Sequence, residues 1–395
     1  MAYQLNAKTV LRAWAAQYRD PDGGRPARIH QWNISLQRQL TKDMSLEAAY
    51  VGNRGAWEEA RGLVAINAIS PARLSSLGLD LTNPATRTLL TSQICSTGAV
   101  AAGFKLPYAG FPCTASVAQS LRPFPMYNDG LATWFSPLGN SSYDSLQVKF
   151  TKRFSHGLDI TSNFTYQKEL CLGSTGCAGI NDAFNRQINK NLSPFSTPFI
   201  SVTAITYQTP KFTANNVVRH IVGGWNIGGI MRYASGSLIG VPASRTNMNT
   251  YTFNTNTRYN RVPGVNPFLV DPNCGCIDPN VNQQILNPAA WSDTAAGTWG
   301  QGAAYYNDYR WRHQVSENMN VGRTFQLHEK MALSVRAEFF NVLNRMGLPT
   351  PSASNPSATA TFSPAGVPTG GFGYITNSSG ISGSRNGQLV ARFQF

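Results

Sequence analysis

The last nine residues, Gly387-Gln-Leu-Val-Ala-Arg-Phe-Gln-Phe395, limit the fold more than any other stretch. Side chains of an extended strand alternate between faces, so Leu389, Ala391, Phe393 and Phe395 share one side and Gln388, Val390, Arg392 and Gln394 the other. The first side is apolar and aromatic, the second mostly polar, and the chain stops on Phe395 without a polar tail. In water, an edge of this kind templates aggregation. A strand with lipid on one side and water on the other calls for this pattern.

Composition narrows the solvent further. Charged residues are only 13% of the chain and hydrophobic ones 42%, with 35 Gly and 23 Pro, which is too few charges for a typical soluble enzyme and too polar for a helical membrane protein. No run of about 18 apolar residues occurs, so there is no transmembrane helix, and a membrane chain without one must form a closed β-barrel to satisfy its backbone. The net charge of +14 raises nucleic acid as a partner, but Lys and Arg are scattered singly and no nucleic-acid motif accompanies them. The reading is no nucleic acid; the excess charge suits a polar lumen or the anionic head groups of outer-membrane lipid.

A pass along the chain yields paired strands. Residues 1–28 are ambiguous, since Val10 to Tyr18 reads equally as a strand or a short amphipathic helix. From there to Phe395 the chain reads as one barrel domain, 29–395. His30 to Leu40 alternates and turns at Thr41-Lys42-Asp43 into a partner containing Met44, Leu46, Ala48 and Tyr50. A stretch rich in Pro, Gly, Ser and Thr then runs to about Asn140. The clearest hairpin follows, with Leu146, Val148 and Phe150 before Ser155-His156-Gly157 and Leu158, Ile160, Phe164 and Tyr166 after it. Further strands lie near Phe199 to Gln208, Trp225 to Ser235, Val315 to Gln326 and Met331 to Phe340. The predicted fold is all-β: a partial antiparallel transmembrane β-barrel of about nine to ten strands with short periplasmic turns and long extracellular loops. Register is well specified, because a one-residue slip would turn Arg336 or Arg392 toward lipid at about 2–4 kcal/mol each near the midplane. With about nine strands, the first and last both descend and cannot pair antiparallel; a strand at Val10 to Tyr18, or strands upstream, would supply the missing partner.

All six cysteines are expected in the long connections. The simplest candidate disulfides are Cys95 with Cys113 and Cys171 with Cys177, formed in an oxidising space, while the state of Cys274 and Cys276 stays open. His30, His156, His220, His313 and His328 are dispersed, and no HExxH, GxSxG or P-loop pattern occurs. Catalytic, metal and cofactor sites are therefore each read as none, and the chain as no enzyme. Trp57, Trp134, Phe135, Trp291, Trp299, Tyr305 and Tyr306 suit an interfacial girdle or loop packing better than ligand contact.

Several stretches resemble the C-terminal half of the barrel in TonB-dependent receptors, in particular the Oar-like group. They include Gln31-Trp-Asn-Ile-Ser-Leu-Gln-Arg-Gln-Leu40, Leu46-Glu-Ala-Ala-Tyr-Val-Gly-Asn-Arg-Gly55 and Arg122-Pro-Phe-Pro125. Asn140-Ser-Ser-Tyr-Asp-Ser-Leu-Gln147, Lys152-Arg-Phe-Ser-His-Gly157 and Gly224-Trp-Asn-Ile-Gly-Gly-Ile230 follow in order. Ser235-Gly236, Leu286-Asn-Pro-Ala-Ala290 and Arg336-Ala-Glu-Phe-Phe-Asn-Val-Leu-Asn344 complete the set. The resemblance implies a receptor in the outer membrane of a Gram-negative bacterium that moves an extracellular ligand inward with energy from the TonB complex. It also implies that Leu389, Ala391, Phe393 and Phe395 form the terminal signal read by the barrel-assembly machinery. Met1 to Arg28 contains no secretory leader, so the plug, the TonB-contacting segment and the leader are expected upstream. The competing readings are a self-contained small outer-membrane porin or adhesin and a soluble β-rich binding module.

Overall fold

The computed structural model describes residues 2–19, 25–127, 131, 136–173, 176–210, 223–246, 248–254, 257–328, 331–376 and 383–395. Its main sheet is an antiparallel meander: β1 (Ala2–Asn6), β2 (Thr9–Arg19), β3 (Arg28–Gln39), β4 (Met44–Glu58), β5 (Gly139–Ser155), β6 (Leu158–Leu172), β7 (Phe199–Gln208), β8 (Trp225–Ala234), β9 (Gln314–His328), β10 (Met331–Phe340) and β11 (Asn386–Gln394). Each strand pairs with its neighbour in the chain, and Asn191–Leu192 adds a short pairing to β6. The sheet is open, with β1 and β11 as its edges. Eleven alternating strands leave those two edges running the same way.

Register sorts the side chains into two unlike faces. Ile34, Tyr50, Leu146, Tyr166 and Phe199 stand opposite one another across β3 to β7, and all five are exposed. On the reverse face Gln37, Glu47, Lys149, Asn163, Val202 and Arg232 form an equivalent row. A sheet in water turns its apolar side toward a core, and this one leaves it bare. Among the described residues of the eleven strands, the buried apolar ones are Ala49, Cys171, Leu172, Ala234 and Ala332. Each exposed Leu, Val or Phe would gain about 1.5–3 kcal/mol by leaving water. That preference holds the apolar face in lipid.

Connections at one end span 7–8, 40–43, 156–157, 209–224 and 329–330; those at the other span 20–27, 59–138, 173–198, 235–313 and 341–385. The two-residue turn 156–157 shows how a hairpin closes at the first end. His156 (φ 51°) and Gly157 (φ 80°) both occupy the left-handed region, the two-residue turn whose twist matches flanking strands. A Cβ on Gly157 would lie 2.3 Å from the carbonyl oxygen of Gln208.

The long connections fold into a cap that holds the molecule's hydrophobic core. One cluster joins Ile69, Leu74, Leu90, Ile94 and Val117 of 59–138 to Met248 of 235–313. A second joins Tyr259, Leu286, Trp291, Tyr309 and Trp311 of 235–313 to Leu348, Phe372 and Ile375 of 341–385. Four short helices, Pro71–Ser76, Pro84–Thr91, Thr97–Ala101 and Val117–Ser120, lie in the first connection, capped by Ser70, Asn83, Ser96 and Ser116. Each cap oxygen accepts a backbone N–H that the first turn leaves unpaired.

Three readings need correction or completion. Val10 to Tyr18 lies in a strand, and Ala2–Asn6 adds a further five-residue strand too short to show a pattern. Cys171 lies in β6 rather than in a connection, because β4, β5 and β6 continue pairing to Glu58, Gly139 and Leu172. Of the stretch from Asn53 to Asn140, residues 53–58 and 139–140 belong to β4 and β5, and the described residues between them form a packed, helix-bearing unit rather than an irregular loop.

Candidate functional site

Charge enters the apolar face where the strands approach the cap. On β4, Gly52 stands between Trp32 of β3 and Asp144 of β5. Trp32 lies over Gly52 so closely that a Cβ there would fall 2.3 Å from the indole Cε2. Beside this stack, the Tyr50 hydroxyl donates to Asp144 Oδ1 at 2.7 Å, and Arg54 Nη2 donates to both Asp144 oxygens at 3.0 and 3.1 Å. The Arg54 guanidinium sits 5.5 Å from the Trp32 ring centroid. Aromatic rings backed by a half-exposed ion pair suit the boundary between lipid and water.

The same three groups recur on β8 and β9. Tyr233 donates to Glu317 Oε1 at 2.9 Å, and Arg345, from the connection after β10, donates from Nε to both Glu317 oxygens at 3.0 and 2.9 Å. Register puts Glu317 on the face of Val315, Met319 and Val321. Its side chain is nonetheless only 3% exposed. Backbone geometry explains the cover: Asn341 and Asn344 both take positive φ of 51°, and Asn341 Oδ1 accepts the Arg345 N–H at 2.8 Å. This turn carries Arg345 back over the strand.

Above that turn lies a cleft of about 640 Å³, bordered by Val315, Trp311, Arg312, His313, Arg345 and the Cys274–Gly275 segment, among others. Trp311 anchors its floor, donating from Nε1 to the carbonyl oxygen of Leu348 at 2.8 Å. Asn273 Oδ1 accepts the His313 N–H at 2.8 Å, fixing one wall to the other. Burial, and then the nearby Arg345 guanidinium, pull the pKa of Arg312 below its ordinary value. An adjoining cleft of about 500 Å³ shares Asn273, Trp311 and His313 but also presents Asp271 and Asp308. There Arg261 grips Asp308 with two 2.6 Å bonds, which hold that carboxyl below the usual carboxylate range.

The residues singled out from sequence scatter over the molecule. Leu389, Ala391 and Phe393 stand opposite Ala337, Val335 and Leu333 on the apolar face. Leu389 is 82% and Phe395 95% exposed, and the Phe393 and Phe395 rings stack at 6.2 Å. Cys95 pairs with Cys113 and Cys171 with Cys177, and Cys274 also pairs with Cys276, their Cα atoms 5.2 Å apart. Trp291 and Tyr306 pack in the cap, whereas Trp57 carries the Arg25 and Arg28 guanidiniums on its ring at 3.5 and 4.3 Å. Trp134, Phe135 and His220 lie outside the described residues. The sequence reading passed over Tyr233, Glu317, Arg312 and Arg345. Only Glu317 carried a signal, as a charge between Val315 and Met319 at an otherwise apolar parity.

A family model described as an outer membrane beta barrel domain matches residues 1–388. No curated protein matches the chain. Among solved structures, it is similar to the ferripyoverdine receptor of the outer membrane of Pseudomonas aeruginosa, at 11% identity and TM-score 0.41, covering 100% of this chain and 32% of that one. It is similar also to BauA, the ferric preacinetobactin receptor from Acinetobacter baumannii, at 7% identity and TM-score 0.41, covering 100% and 35%. A third is the outer membrane transporter YddB from Escherichia coli, at 10% identity and TM-score 0.39, covering 98% and 39%. The chain thus spans between 32% and 39% of the length of these three proteins. With a bare apolar face, a polar reverse face and a match over 1–388, this chain belongs to the outer membrane β-barrel domain family and resides in the outer membrane.

Proposed function

We propose that the chain is the C-terminal portion of the barrel of a TonB-dependent receptor that takes up an extracellular ligand. The observation that carries this reading is the unequal treatment of the two ends: short turns at one, apart from 209–224, and a folded cap with its own core at the other. A cap built to that density presents clefts to the outside, where a ligand arrives. The ordered motifs from Gln31 to Asn344 support the receptor family. In this reading the TonB complex acts through an upstream segment, and Leu389, Ala391, Phe393 and Phe395 are what the barrel-assembly machinery reads. The cysteine pairs are structural bridges of the cell exterior, and the protein does no catalysis. A self-contained porin is the weaker alternative, since β1 and β11 run the same way and cannot form an antiparallel seam.

Uptake of a panel of labelled ferric chelates and peptides tests the proposal in a parent strain and a strain lacking the gene. Active reception predicts a component lost on deletion and equally lost when a protonophore removes the energy supply. A component that deletion removes but the protonophore leaves intact means passive flow, and refutes the receptor reading in favour of a pore.

A further inference from the structure

The cleft between the cap and the apolar wall has an unusual charge inventory. Arg312, His313 and Arg345 border it, and no Asp or Glu does among the described residues. Arg312 makes no hydrogen bond or ion pair among the described residues, although it is half-buried. Arg345 bonds Glu317 through Nε, which leaves its two terminal nitrogens without a bond to the protein among the described residues. Glu317 already answers Arg345, but no carboxylate among the described residues answers Arg312, a cation beside a second guanidinium in a partly desolvated cleft, which is a standing cost unless an anion joins it there. The adjoining cleft shows the contrast, because Arg310 shares its lining with Asp271 and Asp308.

Position says what the anion is attached to. Val315 borders the cleft and shares the face of Met319 and Val321, and Arg345 reaches the cleft over Glu317 on that same face. Leu343 and Met346, on the turn that carries Arg345, are 59% and 50% exposed. The cleft therefore opens where the apolar wall meets the cap, with bare apolar side chains beneath and cations above.

We propose that the Arg312–Arg345 cleft binds a phosphate group, most favourably one carried on the apolar body of an outer-leaflet lipid. The guanidinium forks suit phosphate oxygens, and Leu343 and Met346 meet the acyl region below. This inference rests on the cleft's own cations and its place beside the apolar wall, and it stands whether or not the barrel transports.

The test uses the chain extracted from outer membranes in dodecylmaltoside, with binding followed by native mass spectrometry. Dimyristoylphosphatidic acid is the lipid probe, diacylglycerol its phosphate-free control, and inorganic phosphate the free anion. Phosphatidic acid should be retained over diacylglycerol, with Arg312→Gln weakening retention about ten-fold or more. Arg312→Lys, which keeps the charge but loses the fork, should fall between wild type and Arg312→Gln, and Lys105→Gln, an exposed cation of another connection, should change nothing. Because Arg312 has no side-chain partner to lose among the described residues, the variants should keep the wild-type shift between unboiled and boiled gel samples. Inorganic phosphate that binds, and is lost in Arg312→Gln, supports the site with a soluble phosphoryl source when the lipid probe is not retained. Equal retention of each probe by wild type and Arg312→Gln overturns the proposal.

Discussion

Replacing Arg345 by Met isolates what holds a carboxylate on a face otherwise given to lipid. Glu317 keeps 3% of its side-chain surface exposed, and Arg345 supplies its two bonds to a cation, at 2.9 and 3.0 Å, beside the one from Tyr233. Each such bond contributes roughly 1.5–3 kcal/mol when desolvated, but Arg345 is itself about half exposed, so the lower end applies. Leaving a buried carboxylate without its cation costs about 3–5 kcal/mol in general. Together these give about 3 kcal/mol for Arg345→Met, roughly a hundred-fold in the folded-to-unfolded ratio. The double variant Glu317→Gln/Arg345→Met should recover most of it, because a neutral amide still accepts the Tyr233 hydroxyl. Reversible urea unfolding in lipid vesicles, read by tryptophan fluorescence, measures all three proteins. If Arg345→Met lies within about 0.5 kcal/mol of wild type, or the double variant is no better than the single, the pairing argument is refuted.

Gly157→Val should destabilise the β5–β6 hairpin by about 2 kcal/mol or more, since φ is +80° and the new Cβ would press on the Gln208 carbonyl; the same urea titration reads it. Bonds from Ser155, Thr41 and Lys152 hold the Asp43 carboxyl well below the ordinary range. Its folded pKa is depressed, so its stabilisation is present above the unfolded value near 3.8 and is lost as pH falls through the folded pKa; Asp43→Asn should flatten the acid limb of a stability-against-pH curve. Leu389→Arg should cost about 2–4 kcal/mol if that position lies near the membrane midplane, and should lower the folded fraction on an unboiled gel.

The wall was far more legible than the cap. Strand alternation is a two-residue pattern with a solvent change behind it, so Leu146, Val148 and Phe150 could be read with no partner in view. The cap helices have good start signals in Ser70-Pro71 and Asn83-Pro84, but Pro71–Ser76 and Pro84–Thr91 are too short to show a helical period. The cleft was less legible still. Arg312 and Arg345 come together only because the turn at Asn341 and Asn344 folds back over β9, and nothing local in the sequence fixes that meeting.

The location of the hydrophobic core divides the molecule between two solvents. Ile69, Leu90, Tyr309 and Phe372 are buried against water, so what binds them together should fade on cooling and carry a positive heat-capacity change when they separate. The strands below are surrounded by hydrocarbon, which has no hydration shell to release. Their cohesion rests on closed backbone hydrogen bonding and contact with acyl chains. One polypeptide therefore contains two thermometers with different scales: chilling loosens the crown over an unchanged wall, and changing the lipid disturbs the wall beneath an unchanged crown.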